Sequence, residues 1–266
     1  MSSTVLSEMH VYPIKSCGGI SVESAALDRF GLVHDRRWML VDQHNVALTQ
    51  RECAAMALIQ TQLVGAGLRI SLYGQVLDIA IPTTTAAASV VVEVWGDSVQ
   101  ALDGGQDTAR WLSERLAQAC RLVFMPDDSE RLVDKNFAKA NETVSFADGF
   151  PLLLISQASL DDLNSRLDDP VPMNRFRPNL VVSGCAPFEE DQWRRIRIGD
   201  IEFDLPKPCS RCVVPSIDQA TGTRDKSINR VLASYRSRDG AIYFGQNLLY
   251  AEMGILNISA PLKVLG

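Results

Sequence analysis

The chain has 266 residues, 46% of them hydrophobic and 22% charged, which is the composition of a folded protein with a sizeable core. Its net charge of −6 argues against a nucleic-acid partner, and its six scattered cysteines do not resemble the disulfide framework of a small secreted domain. No apolar run is long enough to span a membrane, and no basic stretch followed by an apolar one marks a signal peptide. We therefore expect a cytoplasmic protein that binds neither membrane nor nucleic acid.

The first hundred residues are predicted to form β-strands. "HDRRWMLVDQ" (residues 34–43) ends in a β-prone run, and residues 69–81 alternate in polarity on both sides of Gly74, which predicts a hairpin. "VVVEVWGD" (residues 90–97) predicts a further strand.

Three segments have helical spacing instead. Residues 107–120 repeat apolar side chains at helical intervals, with Asp107 or Thr108 as the expected cap. A second helix is predicted from Ser159, as its cap, to Leu167. A third, over residues 225–236, places Ile228, Val231, Leu232 and Tyr235 on one stripe.

The strand pattern returns between and after the later helices. Arg195–Leu205 alternates on both sides of Gly199–Asp200, which predicts a tight hairpin, and residues 242–265 are again mostly strand-like. The fold class is therefore mainly β with a few helices (α+β). The change of pattern at the first helix suggests a division into residues 1–105 and 106–266.

One stretch, "KPCSRCVV" (residues 207–214), carries two thiols, Cys209 and Cys212. A structural zinc site needs four ligands, but no second close pair exists, and the three histidines, His10, His34 and His44, all lie in the first part. A thioredoxin-type dithiol needs a following helix, whereas Pro208 and "VVPSI" indicate strand and turn. A functional thiol and two small buried residues of a strand remain equal alternatives.

Basic residues form three weak anion-site patterns. "YPIKSCGGI" (residues 12–20) outlines an anion cradle without the full P-loop pattern, and it also fits a surface turn. In "NRFRPN", Pro178 should hold Arg177 extended, so that Arg175 and Arg177 point the same way. Arg36 and Arg37 are a further pair, although exposed arginines are usually just solvated. Together with a soft thiolate, these residues suit a phosphorylated cofactor that carries a soft metal between two domains.

The chain resembles the MOSC-domain proteins with an N-terminal β-barrel domain, especially the amidoxime-reducing components and their bacterial relatives. The resemblance covers nearly the whole chain. It depends on the blocks "YPIKSCGGI", "DRRWMLVD", "LTQRE", "LLLISQASLDDLNSRL", "RFRPNLVVSG", "EEDQWRRIRIGD", "CSRCVVPSIDQATG" and "FGQN". It implies an N-terminal β-barrel-like domain (1–105), a MOSC β-barrel domain (106–266) and a molybdenum–molybdopterin (pyranopterin dithiolene) cofactor in the cleft between them.

The resemblance also assigns residues to that cofactor. Cys212 is the implied metal ligand and catalytic residue, Cys209 is a neighbour, and Arg211 is expected to favour the Cys212 thiolate. Gly149 and Phe150 are implied to contact the pterin through their backbone, and Asn247 stands where the family often has a tyrosine. The implied cofactor-binding residues are Lys15, Ser16, Arg36, Gly149, Phe150, Arg177, Ser210, Arg211, Cys212 and Asn247.

The implied function is reduction of N-hydroxylated compounds (amidoximes, hydroxylamines and N-hydroxylated bases) by oxygen-atom removal at molybdenum. The substrate is a small N-hydroxylated molecule. A separate electron-transfer protein of iron–sulfur, flavin or haem type is expected, because the chain has no such motif and no ferredoxin domain. The aminotransferase-like domain of cofactor sulfurases is also missing, so no pyridoxal phosphate is expected. The alternatives are a cofactor carrier or sulfuration-related protein without turnover, and a plain dithiol or zinc protein.

Overall fold

The computed structural model describes residues 3–138 and 141–266. The described part of the chain is mainly β, with three α-helices and four short 3-10 helices. The strands of the first half are β1 (Val5–Val11), β2 (Ile20–Ser21), β3 (Ser24–Asp28), β4 (Gly31–Leu32), β5 (Trp38–Val41), β6 (Gln60–Val64), β7 (Gly67–Leu72), β8 (Gln75–Ala80), β9 (Ser89–Val94), β10 (Asp97–Asp103) and β11 (Arg121–Phe124). The predicted α+β class is confirmed.

The second half adds eight strands and two of the helices. Its strands are β12 (Leu152–Ser156), β13 (Leu180–Ser183), β14 (Arg195–Ile198), β15 (Ile201–Ser210), β16 (Ser237–Arg238), β17 (Ala241–Leu249), β18 (Ile255–Asn257) and β19 (Leu262–Val264). The helices of the chain are α1 (Gln106–Leu116), α2 (Gln157–Asn164), α3 (Ser227–Arg236) and the 3-10 turns Ala54–Leu58, Met173–Arg175, Glu189–Gln192 and Val214–Ser216. None of the helices in the described ranges is long and apolar enough to cross a bilayer.

The largest sheet joins the two ends of the chain. Its order is β19-β14-β15-β17-β12-β13-β1-β2, with β16 paired to β17. Strands β12 and β13 are parallel and connected through α2, whereas the first strand, β1, pairs antiparallel with β13. The turn that follows β1 is therefore placed directly beside strands of the second half. The division at residues 105 and 106 stays a prediction.

The β14–β15 hairpin shows why this sheet forms. Ile196, Ile198 and Phe203 point into one core, and Gly199 has the positive φ (+58°) that the two-residue turn requires. Burying each such side chain contributes about 1.5–3 kcal/mol. The predicted hairpin is confirmed.

Smaller sheets build the barrel-like part of the first half. Their orders are β5-β11-β10-β9 and β6-β7-β8, and the predicted hairpin at Gly74 joins β7 to β8. Trp95 and Gly96 form the turn between β9 and β10, both with positive φ (+55° and +88°). This turn suits the right-handed twist of the hairpin, and it holds the Trp95 side chain half-exposed at the tip.

The three predicted helices exist, but their predicted starting points differ from the observed ones. Helix α1 begins after Gly105, which offers no side-chain cap, and it ends at Leu116 because Ala117 turns left-handed. Helix α2 is capped by Ser156, whose hydroxyl accepts from the Ser159 backbone N–H, so the chosen serine lies three residues inside the helix. Helix α3 begins two residues later than predicted and ends at the predicted Arg236, with Ile228 and Leu232 buried.

Candidate functional site

All ten residues that the resemblance assigned to the cofactor line one cleft. The cleft lies between the turn after β1 and the segments that follow β11 and β15, and it encloses about 810 Å³ of empty space, open solvent at its mouth included. These residues come from segments that lie far apart in the sequence. The fold therefore brings together the scattered basic and thiol patterns.

Lys15 and Ser16 are held in a tight turn. The Lys15 backbone N–H donates to the Trp38 carbonyl at 2.8 Å, and Ser16 adopts a left-handed φ of +65°. The Lys15 side chain is 4% exposed, and its Nζ donates to the Phe146 carbonyl at 2.8 Å and to Asp148 Oδ1 at 2.6 Å. Burial lowers the pKa of Lys15, while Asp148 acts in the opposite direction. The lysine thus binds a carboxylate of its own chain.

Arg36 and Arg177 meet around one buried tyrosine. Their guanidinium carbons lie 4.4 Å and 4.3 Å from the centre of the Tyr12 ring. Arg36 also donates to Asp35 Oδ2 at 2.5 Å and to Asn179 Oδ1 at 2.9 Å, which fixes it rigidly. Burial raises the pKa of Tyr12 to about 12, so the ring stays neutral.

The predicted geometry of Arg175 and Arg177 is wrong. Arg177 is left-handed (φ +56°) rather than extended, and Arg175 belongs to a 3-10 turn. Arg177 Nη1 donates to the Cys17 carbonyl at 2.6 Å, whereas Arg175 Nη1 donates to Asp218 Oδ2 at 2.7 Å, away from the cleft lining. A residue before proline disfavours the right-handed helical region. Arg177 avoids that region by adopting a positive φ instead of an extended conformation.

Arg37, the other half of the predicted arginine pair, does not line the cleft. Its Nε donates to the Met125 carbonyl at 3.0 Å, and its Nη2 donates to Asp127 Oδ1 at 2.7 Å. It therefore ties the end of β11 to β5, which is a structural role. Arg36 lies in the turn before β5 with a left-handed φ of +47°, and its guanidinium reaches Asn179 and the Arg177 carbonyl rather than the partners of Arg37.

The Cys212 loop follows the end of β15 and is fixed from three sides. The Val214 backbone N–H points at Cys212 Sγ (3.5 Å), and Asn229 Nδ2, on α3, donates to the Cys212 carbonyl at 3.0 Å. Arg211 donates to Cys209 Sγ at 3.2 Å, and its expected effect on the Cys212 thiolate stays a prediction. Arg51 lines the cleft with Cys212 and lies close enough to interact with it electrostatically.

The remaining predicted residues complete the wall. Asn247 on β17 donates to the Lys207 carbonyl at 3.2 Å, so its side chain is bound to the backbone of β15. Phe150 packs edge-on against Phe137, with ring centres 5.8 Å apart. Ser210 is exposed at the last position of β15.

Sequence reasoning missed several residues of the cleft and its mouth. Arg51 stands in the block "LTQRE", which carried the resemblance but gave no role to any residue. Its guanidinium lies 4.2 Å from the Trp95 ring, and Trp95 Nε1 donates to Asp148 Oδ1 at 3.2 Å. The sequence contained one signal for Trp95, the dipeptide "WG" between two strands. This dipeptide suits a hairpin turn, where the tryptophan side chain is expected to be exposed.

A second missed contact connects the two halves. The side-chain amides of Gln50 and Gln219 exchange two hydrogen bonds of 3.0 Å, and Gln50 is fully buried. Gln50 Nε2 also donates to the Ser16 carbonyl at 2.8 Å. These bonds connect the Ser16 turn to the loop that follows Cys212.

The charge of the cleft lining fits an anionic group. Five cationic side chains face one carboxylate; they are Lys15, Arg36, Arg51, Arg177 and Arg211, and the carboxylate is Asp148. Among the described residues, Arg177 Nη2 and Arg211 Nε are buried donors without a partner. An unsatisfied buried donor costs about 1–3 kcal/mol, so an anion bound there would remove a real penalty.

The possible metal ligands in the cleft also fit a cofactor that itself supplies most of the ligands of its metal. Cys212 is a free, partly buried thiol in the lining, and thiolates prefer soft metals. Within residues 3–138 and 141–266 no three His, Cys, Asp or Glu side chains cluster as a metal site. The residues present therefore fit a phosphorylated dithiolene cofactor that needs one protein sulfur.

Two family models match the chain. The MOSC N-terminal beta barrel domain matches residues 3–119, and the MOSC domain matches residues 141–261. Mitochondrial amidoxime-reducing component 1 of Mus musculus is 34% identical over 98% of this chain and 82% of the relative, and that of Homo sapiens is 33% identical over 98% and 83%. A molybdenum cofactor sulfurase of Oryza sativa subsp. japonica is 33% identical over 95% of this chain, but over 34% of its own length. The chain therefore belongs to the MOSC-domain family with an N-terminal β-barrel domain, which includes the mitochondrial amidoxime-reducing components.

Proposed function

We propose that the protein is a molybdenum-cofactor-dependent reductase of small N-hydroxylated compounds such as amidoximes and hydroxylamines. One observation carries this proposal: a free thiol, Cys212, shares a cleft with five cationic side chains and two unpartnered buried donors. Similarity to two amidoxime-reducing components over 98% of this chain, and over 82% and 83% of theirs, supports the reaction class.

The proposed roles follow from the geometry. Cys212 would hold the metal, and the cationic groups near Tyr12 would hold the phosphate end of the cofactor. Arg177 Nη1 already donates to the Cys17 carbonyl, whereas Nη2 has no partner in the described part of the chain and would bind the phosphate. Lys15 would act mainly through its ion pair with Asp148, which orders the 146–148 segment beside the pterin.

When bound, the cofactor supplies the two-electron chemistry that cleaves the N–O bond. The overall change consumes two electrons and two protons and releases the amine or amidine and one water. The protein itself would form the entrance through which the substrate reaches the metal. Asp148, with a 70% exposed side chain, and the half-exposed Trp95 stand at the mouth, next to Arg51. A carboxylate and an aromatic face suit a planar, N–H-rich substrate.

Metal analysis with an activity assay tests the proposal. Protein purified from a molybdenum-sufficient host should contain molybdenum and release a fluorescent pterin on oxidation. It should also reduce benzamidoxime with dithionite-reduced methyl viologen, a small donor. Zinc in place of molybdenum, without pterin, would end the proposal.

The ligand assignment has its own test. Cys212→Ser should abolish both metal retention and turnover, because only that sulfur is proposed to bind the metal. Cys209→Ser, a matched removal three residues away, should retain the metal. The reverse outcome would show that the wrong thiol was chosen.

A second candidate is a cofactor carrier or sulfuration-related protein. It is favoured by the 33% identity to a molybdenum cofactor sulfurase over 95% of this chain. A carrier would hold molybdenum and pterin but would not turn over benzamidoxime with reduced viologen, and it would transfer its cofactor to an apoenzyme. The cytoplasmic location and the separate electron-transfer partner stay predictions.

A further inference from the structure

The segment that surrounds Cys212 has a charge opposite to that of the whole chain. Residues 205–250 contain seven Lys and Arg against three Asp and no Glu, a net charge of +4. The chain as a whole carries −6, so the remainder carries −10. Such asymmetry creates a local positive field on an otherwise acidic protein.

Most of this charge is exposed near the Cys212 loop. We define the basic rim as Arg211, Arg224, Lys226, Arg230 and Arg238; all but the partly buried Arg211 are exposed. Within the part of the chain that the structure describes, none of these five side chains has a carboxylate within ion-pair distance; the pairs of this region use Arg175 and Arg236 instead. Asp225 and Asp239 are the exposed carboxylates between them.

Contacts place these cations around the thiol. Lys226 directly precedes α3 and Arg230 lies in its first turns, on either side of Asn229, whose amide donates to the Cys212 carbonyl at 3.0 Å. Arg224 Nη2 donates to the Arg51 carbonyl at 2.7 Å, and Arg51 lines the same cleft as Cys212. The rim is therefore attached to the loop that presents the proposed metal ligand.

The other two members follow from strand pairing. Arg238 lies over the Tyr243 ring, with its guanidinium carbon 4.9 Å from the ring centre, and Tyr243 is the register partner of Ser210. Arg211 follows Ser210 directly, and its backbone N–H donates to the Ile242 carbonyl at 2.7 Å. These contacts bring the β16–β17 hairpin to the same end of β15.

An apolar side chain lies next to the thiol. Val213 is 39% exposed although it follows Cys212 directly in the chain. A small apolar contact surrounded by charged groups has the organisation of a transient protein interface.

We propose that the basic rim and Val213 form the docking face for an acidic one-electron carrier protein with its redox group near its surface. The proposal rests on the reductase function proposed above. Each turnover needs two electrons, so two reduced carriers dock in succession, each is oxidised by one electron, and the electrons enter through Cys212. Two protons from solvent complete the balance with the amine and water as products.

Binding of an acidic [2Fe–2S] ferredoxin tests the face without any turnover. The test variant is Lys226→Glu/Arg230→Glu. The matched control is Arg110→Glu/Lys263→Glu, which makes the same charge change at exposed positions on α1 and β19. At ~50 mM salt the rim variant should bind about tenfold more weakly, whereas the control should stay within about twofold, and the difference should shrink at ~300 mM salt.

Several results would overturn the proposal. They are equal affinity of the rim and control variants, tighter binding of a basic cytochrome than of the ferredoxin, and a larger loss of binding to phosphatidylserine vesicles than to ferredoxin. The last result would assign the rim to a lipid surface. A Lys226→Gln/Arg230→Gln variant, which should lose affinity by an intermediate factor, guards against disturbance of α3 by the reversed charges.

Turnover separates this proposal from the reductase function. With reduced methyl viologen, both double variants should reduce benzamidoxime at the native rate, since a small donor needs no docking face. With reduced ferredoxin, only the rim variant should slow. If the loaded native protein shows no turnover with viologen, the reductase function fails, and the binding comparison still decides whether the rim docks an acidic carrier.

Discussion

Replacing Asp35 by alanine should destabilise the protein far more than its single charge suggests. Asp35 is fully buried, accepts from the Tyr12 backbone N–H at 2.8 Å and pairs with Arg36 at 2.5 Å. Its removal leaves the N–H without an acceptor, which costs about 1–3 kcal/mol, and removes the charge partner of a mostly buried guanidinium. Breaking a buried ion pair from one side typically costs about 3–5 kcal/mol in total.

A matched exposed pair provides the control. Arg69 and Asp78 lie 2.6 Å apart, nearly the same distance, but with side chains 44% and 57% exposed. Asp78→Ala should cost far less than Asp35→Ala, because water replaces the lost partner. Urea denaturation at pH 7 measures both variants. Costs that agree within about 1 kcal/mol would refute the view that burial, rather than pair geometry, decides the loss.

Three further results are expected. In thiol labelling at pH 8 followed by mass spectrometry, Cys209 and Cys212 should react well before Cys17, because Cys17 is fully buried and its pKa is raised to about 12 by that burial; early labelling of Cys17 would contradict the structure. Gln219→Ala should lower the free energy of unfolding by about 1–2 kcal/mol, measured in urea, since it leaves the buried Gln50 amide short of partners, and Gln219→Glu should not restore it. In thermal unfolding, Gly245→Ala should lower the midpoint more than Gly65→Ala does: both glycines have positive φ, but only at Gly245 would a Cβ lie 2.6 Å from Ile155; similar midpoints would argue against that crowding.

The architecture was readable from local patterns. Alternation in residues 195–205 predicted the hairpin, and the stripe of Ile228 and Leu232 predicted α3, because each segment buries one face. The predicted starting residues of the helices were wrong where several neighbouring residues could cap the helix. Ser156 and Ser159 both precede the apolar stripe of α2, and only the backbone geometry at the end of β12 selects the first.

The site was readable only in part. The residues carried by the resemblance line the cleft together, but their partners could not be read from the sequence. The contacts of Arg51 with Cys212 and Trp95 join three distant turns, and no local pattern encodes such a meeting. The direction of Arg177 depends on a left-handed backbone that few arginines adopt, and extended geometry was the better expectation from Pro178 alone.

The pairing of β1 with β13 affects how the protein is made. Ser7 donates to the carbonyl of Val181, 174 residues later, so β1 is synthesised well before the strand with which it pairs. Contacts of such long sequence separation slow folding. The Lys15 turn follows that strand, so the side of the cleft that carries Lys15 should become ordered only after β13 has been synthesised. A chaperone that shields the unpaired β1 during this interval should therefore raise the yield of folded protein.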